Sequence, residues 1–284
     1  MHTGELCRIG KGAPRVGLRI NSTVPSLAPG RSAGSAAQRI ADAQRRLSTG
    51  LRINRASDDA AGLAIAETFR TAVLQSNQEV RNLQSGVNLA QTAESGLESQ
   101  GDAVGRIREL AVQAASGTLT DDQRAALNAE AQQLVQAIDA TAQNTDFNGT
   151  APLDGTQASV VIDPQSNLEI QFAESTASSL SLDTLDISTQ AGATAALGTL
   201  DGAATQISTN RSQIGAQESG LVRAIEVREQ ASINQQEAES RIRDLDVAQE
   251  VINKTRDQIL LQAGLGAIAQ SSIPNQNALL LLGG

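Results

Sequence analysis

LSTGLRINRASDDAAGLAIAE, residues 47 to 67, decides how this chain is built. It reads as two helical pieces separated by a polar joint. Leu47 and Leu51 lie four apart and share one helix face. Arg52, Asn54, Arg55, Ser57, Asp58 and Asp59 form the joint, with Ser57 or Asp58 placed to cap the helix that follows. Two acids in a first turn also suit the positive end of a helix dipole. Ala60, Ala61, Leu63, Ala64, Ile65 and Ala66 then make an apolar run of strong helix formers.

From the joint a helical pattern runs to about Ser116. Val80, Leu83, Val87 and Ala90 are spaced three, four, three. Ala90, Leu97, Val104 and Ala111 continue at intervals of seven, and Ile107 and Leu110 widen the stripe. Sustained seven-residue spacing predicts a coiled-coil-like seam rather than a helix on a globule. At 1.5 Å per residue, residues 60–116 span roughly 85 Å. Gly86, Gly96, Gly101 and Gly105 weaken this helix but permit close approach by a neighbour. Thr120-Asp121-Asp122-Gln123 is a capping box for the next helix, whose face is Leu127, Ala131, Leu134 and Ile138. The short loop between predicts an antiparallel hairpin.

The helical period stops at Asn144 to Gly149 and changes to two. Ser159–Asp163 and Leu168–Phe172 flank Pro164-Gln165-Ser166-Asn167 as a β-hairpin, and Leu180, Leu182, Leu185 and Ile187 suggest another short extended segment. Helix resumes near Thr189. Leu200, Ile207, Ile214 and Leu221 recur every seven residues and form the return partner of the first seam. Upstream of the joint, Pro29-Gly30 interrupts the helical pattern. Proline costs a helix interior about 3 kcal/mol and glycine about 1, so the first helix is expected to begin near Arg31. The fold class is mainly α: a long antiparallel coiled-coil-like bundle of N- and C-terminal segments, with a small β-hairpin region in the middle.

Composition narrows the function. The chain has no Trp or Tyr and three Phe, so burial falls to Ala, Leu, Ile and Val along extended seams. His2 and Cys7 are the sole histidine and cysteine. That rules out an internal disulfide and argues against His/Cys metal sites and Ser/His/Asp or Cys/His catalysis. No catalytic residue, cofactor site or metal site is expected, and the chain is read as not an enzyme. The net charge of −9 is uneven: residues 1–55 hold ten bases against two acids, which leaves −17 for the rest. A basic arm raises nucleic acid, an anionic membrane or a transit segment, but no aromatic residue is present in it to stack on bases. No apolar run is long enough to span a membrane, and no signal-type apolar region follows the basic start. Neither nucleic-acid binding nor membrane insertion is expected.

The wording of the opening stretch resembles the N-terminal signature of bacterial flagellin, LSSGLRIN followed by a polar spacer and DDAAGLAIA. Asn54, Ser57, Asp58, Asp59, Ala60, Ala61, Gly62 and Leu63 fall where that signature has them. VGLRINSTVPSL from Val16 is similar to the family's opening, which identifies Val16 as the expected true start and 1–15 as a non-native or disordered extension. Asn144–Gly149 with Leu153-Asp154-Gly155 resembles TxFNG…LLDG. Asn210–Ala216, Glu239–Ala248, Gln258–Gly264 and Leu279–Leu282 resemble the family's RSxLGA, SRIxDxDxA and QILxQAG…LSLL segments.

The resemblance implies a structural subunit that polymerises into the flagellar filament for motility; a hook-filament junction protein or another coiled-coil assembly protein is the alternative. It implies terminal helices 16–56 with 245–284 lining the inner tube, a helical rod of 57–147 with 189–244, and a short β-hairpin region, 148–188, where large variable domains are often inserted. It further implies a homopolymer, with an export chaperone, cap and junction proteins as partners, type III export and an extracellular location. RIRELAV, Arg106–Val112, is similar to the family's RVRELAV helix. Arg106, Leu110 and Glu130 therefore stand where flagellins contact the Toll-like receptor for flagellin, or serve as an inter-subunit contact.

Overall fold

The computed structural model describes residues 24–163 and 167–282, with side chains over 28–163 and 167–270. The extension 1–15 and the start at Val16 lie outside them. The order is α1 (Val24–Thr49), α2 (Ala60–Ala114), α3 (Asp121–Asn144), β1 (Ser159–Asp163), β2 (Leu168–Gln171), α4 (Gln190–Arg243) and α5 (Val247–Leu282). The chain divides into two compact units, Met1–Ala66 with Glu239–Gly284 and Glu67–Ala238, so the boundaries fall within α2 and α4.

In the first unit α1 begins at Val24 and runs through Pro29, not from Arg31 as expected. Pro29 is the sixth residue of α1, so it removes one helical hydrogen bond in the second turn, close to the end whose first four N–H groups have no partner within the helix. Helix α5 packs there: a Cβ on Gly264 would sit 3.3 Å from Ala33 Cβ and 3.7 Å from the Pro29 carbonyl.

In the second unit α2 and α4 are antiparallel in one unbroken register. Asn77 meets Ser232 at 3.1 Å, Gln91 meets Glu218 at 2.8 Å, Glu94 meets Arg211 at 3.5 Å and Arg108 meets Asp201 at 2.9 Å. Leu83, Ala90, Leu97 and Val104 are buried against Leu200, Ile207, Ile214 and Leu221. Val80 and Val87 are only half-buried. Near α2's start the inward positions are Val73, Ser76, Glu79 and Leu83. Arg228 of α4 pairs with both Glu79, at 3.1 Å, and Asp163, at 3.2 Å. The contact to Glu79 Oε2 is an ion pair without hydrogen-bond alignment.

Helix α3 opens on the expected capping box at Thr120 and Gln123. Its inward face is Arg124, Ala131, Val135, Ile138 and Ala142, so Val135 is buried while Leu127 and Leu134 lie at the margin. Arg124 is buried because it caps α2: its guanidinium donates to the carbonyls of Ala114 (2.9 Å) and Ser116 (3.0 Å) and pairs with Asp121 (2.9 Å).

The hairpin forms with Val160 opposite Ile170 and an irregularity between Val161 and Asp163. It lies on the helices where Gly86 leaves room: a Cβ there would be 3.1 Å from Ile162. Leu180, Leu182, Leu185 and Ile187 are buried as expected of apolar residues, but as successive turns rather than an extended segment. The physical reason is that side chains satisfy this backbone, so it needs no strand partner. Asn128 accepts from the Ile187 N–H (3.0 Å), Asp139 from the Ala177 N–H (2.7 Å), and Gln132 donates to the Leu185 carbonyl (2.6 Å). Gln100, wholly buried, donates to the Ser175 and Ile138 carbonyls and accepts from the Ser175 hydroxyl at 2.6 Å.

Candidate functional site

The joint of the first unit is held by its own carboxylates. Asp58 Oδ2 accepts from the backbone N–H of Asn54 (3.1 Å) and Arg55 (3.0 Å). Those two bonds, with Arg55 first, keep its carboxyl below the usual aspartate range. The cap of α2 is Asp59, not Ser57 or Asp58: its Oδ1 accepts from the Gly62 N–H at 2.8 Å and its carbonyl from the Leu63 N–H. Asp58 is unavailable because its oxygen is committed to closing the turn before it. Ser57 is exposed and makes no side-chain hydrogen bond. Ile53, 1% exposed, is the apolar anchor of the joint and lies against Gly62. One isoleucine inside a charged run carries no periodic signal, which is why its burial was not legible.

This joint pairs with the second break in the chain, between α4 and α5. Arg52 N–H donates to the Arg243 carbonyl at 2.7 Å and Leu245 N–H to the Gly50 carbonyl at 3.0 Å, with Leu51 bridging Asp244. Gly50 adopts φ 71° where the chain leaves α1, a conformation that favours glycine. Asp246 then caps α5 by accepting from the Gln249 N–H at 3.0 Å.

The α1–α5 pair is inverted relative to an ordinary helix pair. The residues α5 turns toward α1 are polar or small: Glu250, Asp257 and Gly264, seven apart. Glu250 pairs with Arg46 at 3.6 Å and Asp257 with Arg39 at 3.2 Å, beside the buried Ala33, Ala36 and Ala43. Most of the large apolar residues of α5 point away. Val251, Ile252, Ile259 and Leu260 are 46–62% exposed and line one surface groove of about 420 Å³. A contiguous apolar face of this kind marks an interaction surface.

In the second unit the structure joins Arg106 to Glu130 at 2.9 Å and to Glu109 at 2.8 Å, all on the surface. These acids raise the Arg106 pKa further. Leu110 does not share that surface: it is 2% exposed and packs into the core, because its position in the seven-residue repeat turns it inward. Arg106 and Glu130 therefore face solvent together and Leu110 does not. Among the described residues no group of acids, His and Cys is placed to hold a metal, and no helix is long and apolar enough to cross a membrane.

A model of the bacterial flagellin N-terminal helical region matches residues 20–158, and a model of the C-terminal helical region matches residues 197–282. The chain belongs to the bacterial flagellin family. It is 38% identical to the flagellin of Halalkalibacterium halodurans over 269 residues, covering 93% of this chain and 99% of that protein. It is 34% identical to the flagellar filament 30.7 kDa core protein of Treponema maltophilum over 282 residues, with the same coverage of each. The flagellin of Bacillus subtilis is 33% identical over 304 residues, covering 93% of this chain and all of that protein. Among solved structures, that of Bacillus cereus flagellin matches with 29% identity and a TM-score of 0.47 over 52% of this chain and 88% of the other. Flagellins are structural proteins, and their signature maps here onto the paired breaks. Asp58, Asp59 and Asp246 are the residues that shape and cap those breaks.

Proposed function

We propose that the chain is a structural subunit that polymerises into the bacterial flagellar filament. The observation that carries this is the outward apolar face of α5, with its polar residues turned inward on α1. That arrangement leaves Val251, Ile252, Ile259 and Leu260 in water in a lone chain and becomes favourable when copies supply the missing cover. The filament core proteins among its relatives support the same reading. Ile252→Asp with Ile259→Asp tests it by electron microscopy of purified protein. The wild type is expected to grow long filaments and the variant to stay monomeric with unchanged helicity. Filaments of normal length from the variant refute the reading, and stoichiometric rings from the wild type favour a junction protein.

By family resemblance, residues 16–56 and 245–284 line the inner tube and 57–244 build the outer tube. The subunit is exported unfolded with a chaperone, passes the junction proteins and adds beneath the cap outside the cell. The exposed Arg106–Glu130 pair favours one further role, recognition by the Toll-like receptor for flagellin. In a reporter-cell assay, replacing both with Ala is expected to lower the monomer's signal at unchanged thermal stability. An undiminished signal removes this role.

A further inference from the structure

A cleft of about 630 Å³ in the second unit runs between the middle of α2 and the end of α3. Its floor is Gly96, where a Cβ would lie 2.7 Å from both Leu153 and Thr145. Its walls are uncharged and polar except for Asp146. Asn88, Ser95 and Ser99 of α2 and Asn144 of α3 make no side-chain hydrogen bond within the described chain. Thr141 and Thr145, by contrast, bond back onto their own helix. Asp146 stands at the negative end of the α3 dipole and uses one oxygen on the Gly149 N–H at 3.2 Å. Beside the cleft, Glu98 and Asp102 lie one turn from Ser95 and Ser99, are exposed and form no ion pair. Gln91 on its wall already serves Glu218.

No cation of this region answers them. From Ala125 to Asn210 the sequence holds ten acids and no Lys or Arg. Arg106, Arg108, Arg124 and Arg211 are each paired with an acid of their own. A cleft with free amide and hydroxyl acceptors, a carboxylate and a helix C-terminus fits a planar, multi-donor cation, which among side chains is a guanidinium.

Within the described second unit, only Arg81 and Arg223 lack an ion pair. Gln78 engages the Arg81 guanidinium at 2.6 and 3.2 Å. Arg223 on α4 has no partner and is flanked by Val222 and Val227, 43% and 67% exposed. We infer that the cleft floored by Gly96 receives Arg223 of a second copy, in a head-to-tail contact between subunits. Such a contact does not close on itself and repeats along a fibre. The inference rests on the polymer reading and names one of its contacts.

Charge reversal tests it in the full chain. Asp146→Arg and Arg223→Asp are made singly and together. Ser99→Arg serves as a cleft variant that leaves the Asp146 turn untouched. Soluble protein remaining after assembly is measured by sedimentation, and monomer stability by thermal melting. Each single variant, Ser99→Arg included, is expected to raise the residual soluble concentration about tenfold or more, at an unchanged monomer melting temperature. The double charge swap is expected to restore assembly. Wild-type filaments with singles that assemble equally well overturn the inference and leave the polymer reading standing. Impaired singles without restoration by the swap also overturn it, since another cation then fills the cleft. A wild type that never polymerises overturns the polymer reading itself.

Discussion

Replacing Arg228 with Leu removes a guanidinium that pairs with two buried carboxylates. Glu79 is 7% exposed and Asp163 3%, and they sit on different elements, α2 and the end of β1, joined through α4 by Arg228. Leaving buried charges without their partner costs about 3–5 kcal/mol. Arg228 is about one-third exposed, so water screens part of the loss and the lower end, about 3 kcal/mol, applies. For a unit spanning 67–238, each kcal/mol moves the melting temperature by about 2–4 °C. The expected fall is thus about 6–12 °C in thermal melting of the monomer followed by circular dichroism. A second measurement isolates the cause. Adding Glu79→Gln and Asp163→Asn to Arg228→Leu removes the stranded charges and is expected to recover much of the loss, as a coupled set does. A fall of under 2 °C, or no recovery in the triple variant, refutes the claim that Arg228 neutralises this cluster.

Leu97→Ala, at a position with no exposure on the α2 seam, is expected to cost about 2–5 kcal/mol in urea unfolding, whereas Val227→Ala at an exposed position changes stability little. Asp59→Ala removes the α2 cap and is expected to cost about 1 kcal/mol, read as faster amide exchange at Gly62 and Leu63. Asp58 has a depressed carboxyl pKa in the folded chain, so its contribution is present above the ordinary aspartate value and is lost as pH falls through the folded value. Carbon-detected NMR titration is expected to place Asp58 below an unstructured aspartate, and an unshifted midpoint contradicts the two backbone bonds.

The seam was legible because burial repeats. Leu97, Val104, Leu200, Ile207, Ile214 and Leu221 recur at a fixed interval, and a helix converts that interval into one buried line. The capping box at Thr120 and the hairpin arms around 164–167 were legible for a different reason: local chemistry suffices to form them. Departures occur where a residue answers to a distant partner. Glu79 replaces Val80 as the inward residue because Arg228 waits on α4, and Leu180 to Ile187 stay irregular because Asn128, Gln132 and Asp139 supply their hydrogen bonds. Of the expected contact residues, Arg106 and Glu130 share a surface, while Leu110 belongs to the core.

By itself the sequence determined the helical class, the joint between α1 and α2, the turn between α2 and α3 and the family, since these depend on spacing and on short motifs. The tertiary structure decided which way α5 faces. Its sequence offers a polar face at Glu250, Asp257 and Gly264 and an apolar face at Val251, Ile252, Ile259 and Leu260, and periodicity alone would bury the second. Arg39 and Arg46 on α1 select the first, because charge pairing and the close approach at Gly264 hold the two helices together by their polar sides.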